Sequence, residues 1–198
     1  MVANQSPGDP VCGRVRRGRS VFRKHVASKM RIRTKHPVAF TGEEWALVRL
    51  APALVVASAT AGNSAKLPAA ITQAAAGVQG LAAAIRAECR LRLFSALAAD
   101  CSRPHWPKLQ VLLGEDPGEQ QWHEFHAAVV DEVQAAVALV ARKRSSGEVA
   151  RYRRLIVDLA RGMAHAPDEG TPRGSGRVRA SANARAFVTR VRRATSTV

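Results

Sequence analysis

The chain has 198 residues, with 31 Lys and Arg against 15 Asp and Glu, a net charge of +16, 46% apolar residues and only 5% aromatics. That length suits one domain with tails, and abundant alanine with few aromatics favours close-packed helices over strands. Three cysteines, Cys12, Cys89 and Cys101, form no CxxC pair; this speaks against a disulfide framework and reads as reduced thiols in a cytoplasmic protein.

Charge is concentrated at the ends. Residues 1–40 carry ten basic side chains against one Asp and residues 167–198 seven against two, whereas residues 41–166 are nearly balanced at fourteen against twelve. Residues 1–39 read as a disordered basic arm, because so charged a stretch has too little apolar surface to offset the entropy of ordering. Arg16 and Arg17 are not followed by the apolar region of a secretory signal, although an Arg-rich, acid-poor arm also has the composition of an organelle transit peptide. Met30 offers a second start that would remove much of the arm.

From Phe40 to Gly62 runs the most continuous apolar stretch, FTGEEWALVRLAPALVVASATAG. Its uncharged part, from Leu50 to Ser64, falls short of the roughly 20 residues a bilayer span requires, and Pro52 and Gly62 interrupt it. Thr41 and Glu44 have the spacing of a capping box, with Phe40 placed for a hydrophobic staple, so a buried core helix is expected, bent at Pro52 and with its Trp45 end open to a partner. A second helical segment is expected from about Ala65 to Ala99, capped by Asn63 or Ser64, with Pro68 in its first turn and room for a break within it. Its stripe comprises Ile71, Val78, Leu81, Ile85, Leu91, Phe94 and Leu97; Gly77 and Gly80 imply close packing of another helix.

Residues 100–116 read as a loop around one apolar turn, Leu109 to Leu113. Asp116 then caps and Pro117 opens a helix whose Trp122, Phe125 or His126, Val129, Val133, Val137 and Val140 recur every three to four residues up to Arg142-Lys143-Arg144, charges suited to a helix C-terminus. Ser145 and Glu148 form a second capping box, opening a helix with Val149, Tyr152, Ile156, Leu159 and Met163 inside and Arg151, Arg154, Asp158 and Arg161 outside. After a Gly- and Pro-rich connector from Pro167, Ser181 opens a last helix with Phe187, Val188 and Val191 inside and Arg185, Arg190, Arg192 and Arg193 outside. The whole reads as an all-α bundle of about five helices over residues 40–194, with a short disordered tail at 195–198.

Few residues combine into chemistry. In WHEFH, His123 and His126 at i and i+3 could share a metal with Glu124 or Asp131, but the zinc-protease pattern needs its two histidines at i and i+4. Cys101 and His105 are separated by Pro104. The glycines of EGTPRGSGR lack the Lys of a phosphate loop and follow a helix rather than a strand, which marks a connector. No catalytic residue, cofactor site or metal site is therefore assigned. The basic ends remain: Arg14, Arg16, Arg17, Arg19, Arg23 and Lys24 in the arm, with Arg190, Arg192 and Arg193 in the last helix, are the candidates for phosphate contact. Only Phe22 interleaves with the arm, so base stacking is not indicated.

Three stretches, FTGEEWALVRLAPALVVASAT, ARYRRLIVDLARGMAHA and EGTPRGSGRVRASANARAFVTRVR, resemble in that order the landmarks of a family of small, uncharacterised bacterial all-helical proteins. Its members start like F-T-x-x-E-W-x-x-L-R-x-A-P, carry a helix like Y-R-x-W-L-L-x-I-A, and have a Gly-rich loop like E-G-G-F-L-G-F-G-G followed by R-V-S. Here Leu155 stands in place of the Trp, and Thr171, Pro172 and Ser175 in place of loop aromatics. The resemblance implies the fold and supplies no function. The expected function is that of a non-enzymatic interaction or regulatory protein, cytoplasmic and without a transmembrane segment, binding a protein partner or a second copy of itself. The alternative is nucleic-acid association through the basic tails.

Overall fold

The computed structural model describes residues 39–61, 67–101, 119–164 and 182–197, which form six helices and no strand. They are α1 (Gly42–Ala61), α2 (Leu67–Ala87), α3 (Arg92–Cys101), α4 (Glu119–Lys143), α5 (Ser146–Ala164) and α6 (Ala182–Ser196). The expected basic arm, the apolar turn at Leu109 to Leu113 and the Gly-rich connector lie outside the described residues. None of the six helices is long and apolar enough to cross a membrane.

The start of α1 follows the local code. Thr41 N–H donates to Glu44 Oε2 at 2.7 Å and Glu44 N–H to Thr41 Oγ1 at 3.3 Å, so the capping box closes in both directions. Phe40 and Trp45 rings lie 5.8 Å apart as the staple. From the end of α4, Lys143 Nζ donates to Glu44 Oε2 at 2.6 Å and sits 5.8 Å from the centre of the Phe40 ring. An acid at a helix start meets a base at a helix end, each on the favourable pole of its own dipole. The Lys143 and Thr41 N–H bonds hold the Glu44 carboxyl below its ordinary pKa.

α1 is the helix the others surround, packing against α2, α4 and α5, while α6 packs on α4 and α5. Its centre is apolar on nearly all sides, with Ala51, Val55 and Val56 fully enclosed. Pro52 removes an N–H from this helix, so the carbonyl of Val48, four residues earlier, lacks its usual intrahelical donor. Tyr152 of α5 takes that place: its hydroxyl donates to Val48 O at 2.6 Å in a fully buried site. Burial also pushes the phenol above its ordinary pKa, so the donor keeps its proton.

The segment expected to run from Ala65 to Ala99 is two helices. Its first half ends in tight i to i+3 bonds, Glu88 N–H to Ile85 O and Cys89 N–H to Arg86 O, each 3.2 Å. Leu91 occupies the cap position of α3 and has no side-chain acceptor to offer. Glu148 of α5 supplies one, accepting from Leu93 N–H at 2.8 Å, so a carboxylate from another helix caps α3. This use alters the second expected capping box: Glu148 N–H donates to Ser145 Oγ at 3.4 Å, while its carboxylate serves Leu93 and both Nε and Nη2 of Arg144, at 3.0 and 2.7 Å. At the other end of α3, Asp100 accepts the indole N–H of Trp45 at 2.6 Å and lies 4.0 Å from Arg49. Trp45 is 1% exposed, which corrects the expectation that it is open to a partner.

The two glycines of α2 differ. A Cβ at Gly77 would stand 2.6 Å from both Met163 Sδ and Val56 Cγ1, so α2 runs close over α5 and α1 at that point. A Cβ at Gly80 would meet nothing within 4 Å, so the close packing expected at that position is absent among the described residues. α6 continues through Thr195, which is buried, and exposed Ser196, past the expected end at Ala194.

Candidate functional site

The histidine pair of WHEFH does not converge. His126 is buried, and its Nε2 lies 3.0 Å from Ser58 O near the end of α1, which fixes Nε2 as the protonated nitrogen and donor. Its ring packs on Phe187 of α6 with centroids 5.1 Å apart. Burial holds its pKa below the ordinary imidazole value, Arg190 and His123 add to the depression, and the bond to Ser58 opposes it. His123 is exposed, and Glu124 accepts from Gln120 Nε2 at 3.1 Å on the surface. Among the described residues no three metal-ligating side chains come together. Of the cysteines, Cys89 is exposed as a free thiol.

Among the residues expected to contact phosphate, Arg14, Arg16, Arg17, Arg19, Arg23 and Lys24 lie outside the described residues. Arg190, Arg192 and Arg193 are exposed on α6, where Arg185 joins them. The helix has no acidic residue, and its apolar side, with Phe187 and Val191, is sealed against the bundle.

Among the described residues an open groove of about 700 Å³ lies between α2 and α5. Small residues, Ala76, Gly80, Ala84 and Ala87, form the α2 wall; Leu155, Leu159 and Met163 form the opposite wall, and Phe94 of α3 reaches the lining. Across one end Arg151 pairs with Glu88 at 3.1 Å, and further along the rim Arg154 and Arg161 flank Asp158 at 3.5 and 3.7 Å. These pairs are about half exposed or more on the arginine side, so each adds little to stability and stays available for exchange with incoming charge.

No family model matches the chain, and neither a curated protein nor a solved structure does. Function has to be read from these surfaces. The outward placement of Arg151, Arg154, Asp158 and Arg161 was legible from helical period, and so was the Ala and Gly content of α2. Their meeting across one groove was not, because it depends on how closely α2 and α5 approach at Gly77 and Met163, a contact that local sequence pattern does not encode.

Proposed function

We propose that the protein is a non-enzymatic interaction module, regulatory in kind, and that the groove between α2 and α5 receives a helix of a partner protein. The observation that carries this reading is the groove itself: apolar, open and unfilled at Gly80, whose missing side chain faces no neighbour. Both walls are helices whose backbone groups are satisfied internally, so they offer no free edge to a β-strand. A wall of alanine and glycine lets another helix approach closely, in the manner of helix-in-groove recognition. The rim carries both signs of charge, and a partner helix with an acidic flank would exchange with Glu88 and Asp158 for Arg151 and Arg154, fixing its register. This reading puts the protein in the cytoplasm, where the exposed Cys89 thiol stays reduced.

The test is site-specific photo-crosslinking in cells making the full chain, with the reactive side chain at Ala87 on the groove or at Ala141 on the exposed side of α4. A discrete adduct from position 87 only, mapping to a helix of another protein, supports the reading. Equal capture from both positions, or an adduct of the chain with itself, counts against it.

A further inference from the structure

A separate observation concerns α6. We propose that α6 lies in the major groove of duplex nucleic acid and binds the phosphates of both strands without reading the base sequence. At about 100° per residue, Arg185 and Arg192 fall on one edge of the outward face and Arg190 about 140° round on the other. Between these edges stand Ala182, Ala186 and Thr189, all exposed, and, in the last turn, Arg193, about 80° round from Arg185. As far as Thr189 the middle of this face carries small residues, with Arg185, Arg190 and Arg192 at its edges, which matches a groove about 12 Å wide that admits a helix and has a row of phosphates on either side.

Other polyanionic surfaces fit less well. A membrane-surface helix needs large apolar side chains to enter the acyl boundary, and those of α6, Phe187 and Val191, are buried in the bundle. One acidic helix presents one charged stripe, whereas these arginines diverge over an arc that faces two walls. Within α6 no carboxylate competes for them. The hydroxyl protons of the helix are already committed: Thr189 Oγ1 donates to Arg185 O at 2.9 Å, Thr195 Oγ1 to Arg192 O at 2.8 Å and Ser196 Oγ to Arg192 O at 2.9 Å; just beyond it Thr197 Oγ1 donates to Arg193 O at 3.2 Å. Guanidinium groups are thus the principal donors of this face, and such groups at the groove edges hold phosphates, which position a protein without specifying sequence.

The experiment measures binding of the full chain to two fluorescein-labelled duplexes of unrelated sequence, by anisotropy over a range of NaCl concentrations. It is repeated with a variant carrying Arg185→Gln, Arg190→Gln, Arg192→Gln and Arg193→Gln, and with Ala186→Trp, which thickens the middle of the face. All these positions are exposed, and retained helicity and melting temperature are checked first. Both duplexes should bind with similar affinity. The slope of log affinity against log salt should shrink by about 0.9 for each phosphate contact removed, and Ala186→Trp should weaken binding about tenfold or more by blocking entry to the groove. The proposal is overturned if the four-glutamine variant keeps the original slope, which would assign binding to the basic residues of the first forty positions. It is equally overturned if Ala186→Trp binds unchanged, or if anionic phosphatidylserine vesicles bind and the duplexes do not.

Discussion

Removing the Tyr152 hydroxyl should test how α1 carries a proline in its middle. In Tyr152→Phe the Val48 carbonyl loses the 2.6 Å bond that replaces its intrahelical donor, and no water can reach a site where Tyr152 and Val48 are both 0% exposed. An orphaned buried acceptor costs about 1–3 kcal/mol, so a loss of about 2 kcal/mol is expected, or a melting temperature lower by roughly 4–8 °C for a domain of this size. In the Pro52→Ala background residue 52 regains its N–H and can bond Val48 itself, so the same hydroxyl deletion should cost about 0.5–1 kcal/mol. Urea unfolding of the four chains, followed by circular dichroism at constant m, measures the difference as a coupling of about 1–2 kcal/mol. Equal costs of Tyr152→Phe in both backgrounds would refute the reasoning, since the hydroxyl would then not be standing in for the missing amide.

The two glycines of α2 should respond with opposite signs: Gly77→Ala should destabilise by about 1–3 kcal/mol through its clash with Met163 and Val56, while Gly80→Ala, which meets nothing, should stabilise by up to about 1 kcal/mol through helix propensity. Glu148→Gln weakens the cap of α3 and the Arg144 pair and should cost about 1.5–3 kcal/mol in chemical unfolding. Burial alone would raise the Glu148 pKa, but the bonds from Arg144, Leu93 N–H and Ser145 outweigh it and lower it from 4.5. Its stabilisation is accordingly complete above about pH 4.5 and fades as pH falls through the lower folded value, a dependence the Gln variant should lack. For His126 the folded pKa lies below the 6.5 of the free side chain, so the folded state binds fewer protons and stability should fall as pH drops below 6.5. In His126→Gln that part of the slope should vanish when midpoints are compared between pH 7 and pH 5.

What the sequence revealed follows the range over which each feature acts. The capping box of Thr41 and Glu44, the Phe40 staple and the apolar stripes of α4 and α5 depend on residues within a turn or two, and periodicity finds them. The division of α2 from α3 depends on Glu148, 55 residues beyond Leu93, and no local pattern announces a cap borrowed from another helix. Trp45 looked available because an aromatic near a helix start can serve either core or surface; Asp100, also 55 residues away, decides for the core. His126 fell on the boundary of the α4 stripe, and the Ser58 carbonyl near the end of α1 draws it inside. Of the candidate phosphate contacts, the arginines of α6 could be placed outward from their spacing, because Phe187 and Val191 define the opposite face.

The most direct test of the interaction reading fills the groove without disturbing the bundle. Gly80→Leu projects a side chain into the open volume where a Cβ meets no neighbour, so the variant should melt at or above the temperature of the parent chain. Combined with the photoreactive side chain at position 87, it should abolish the partner adduct. Persistence of that adduct with the groove occupied and the fold intact would contradict the account.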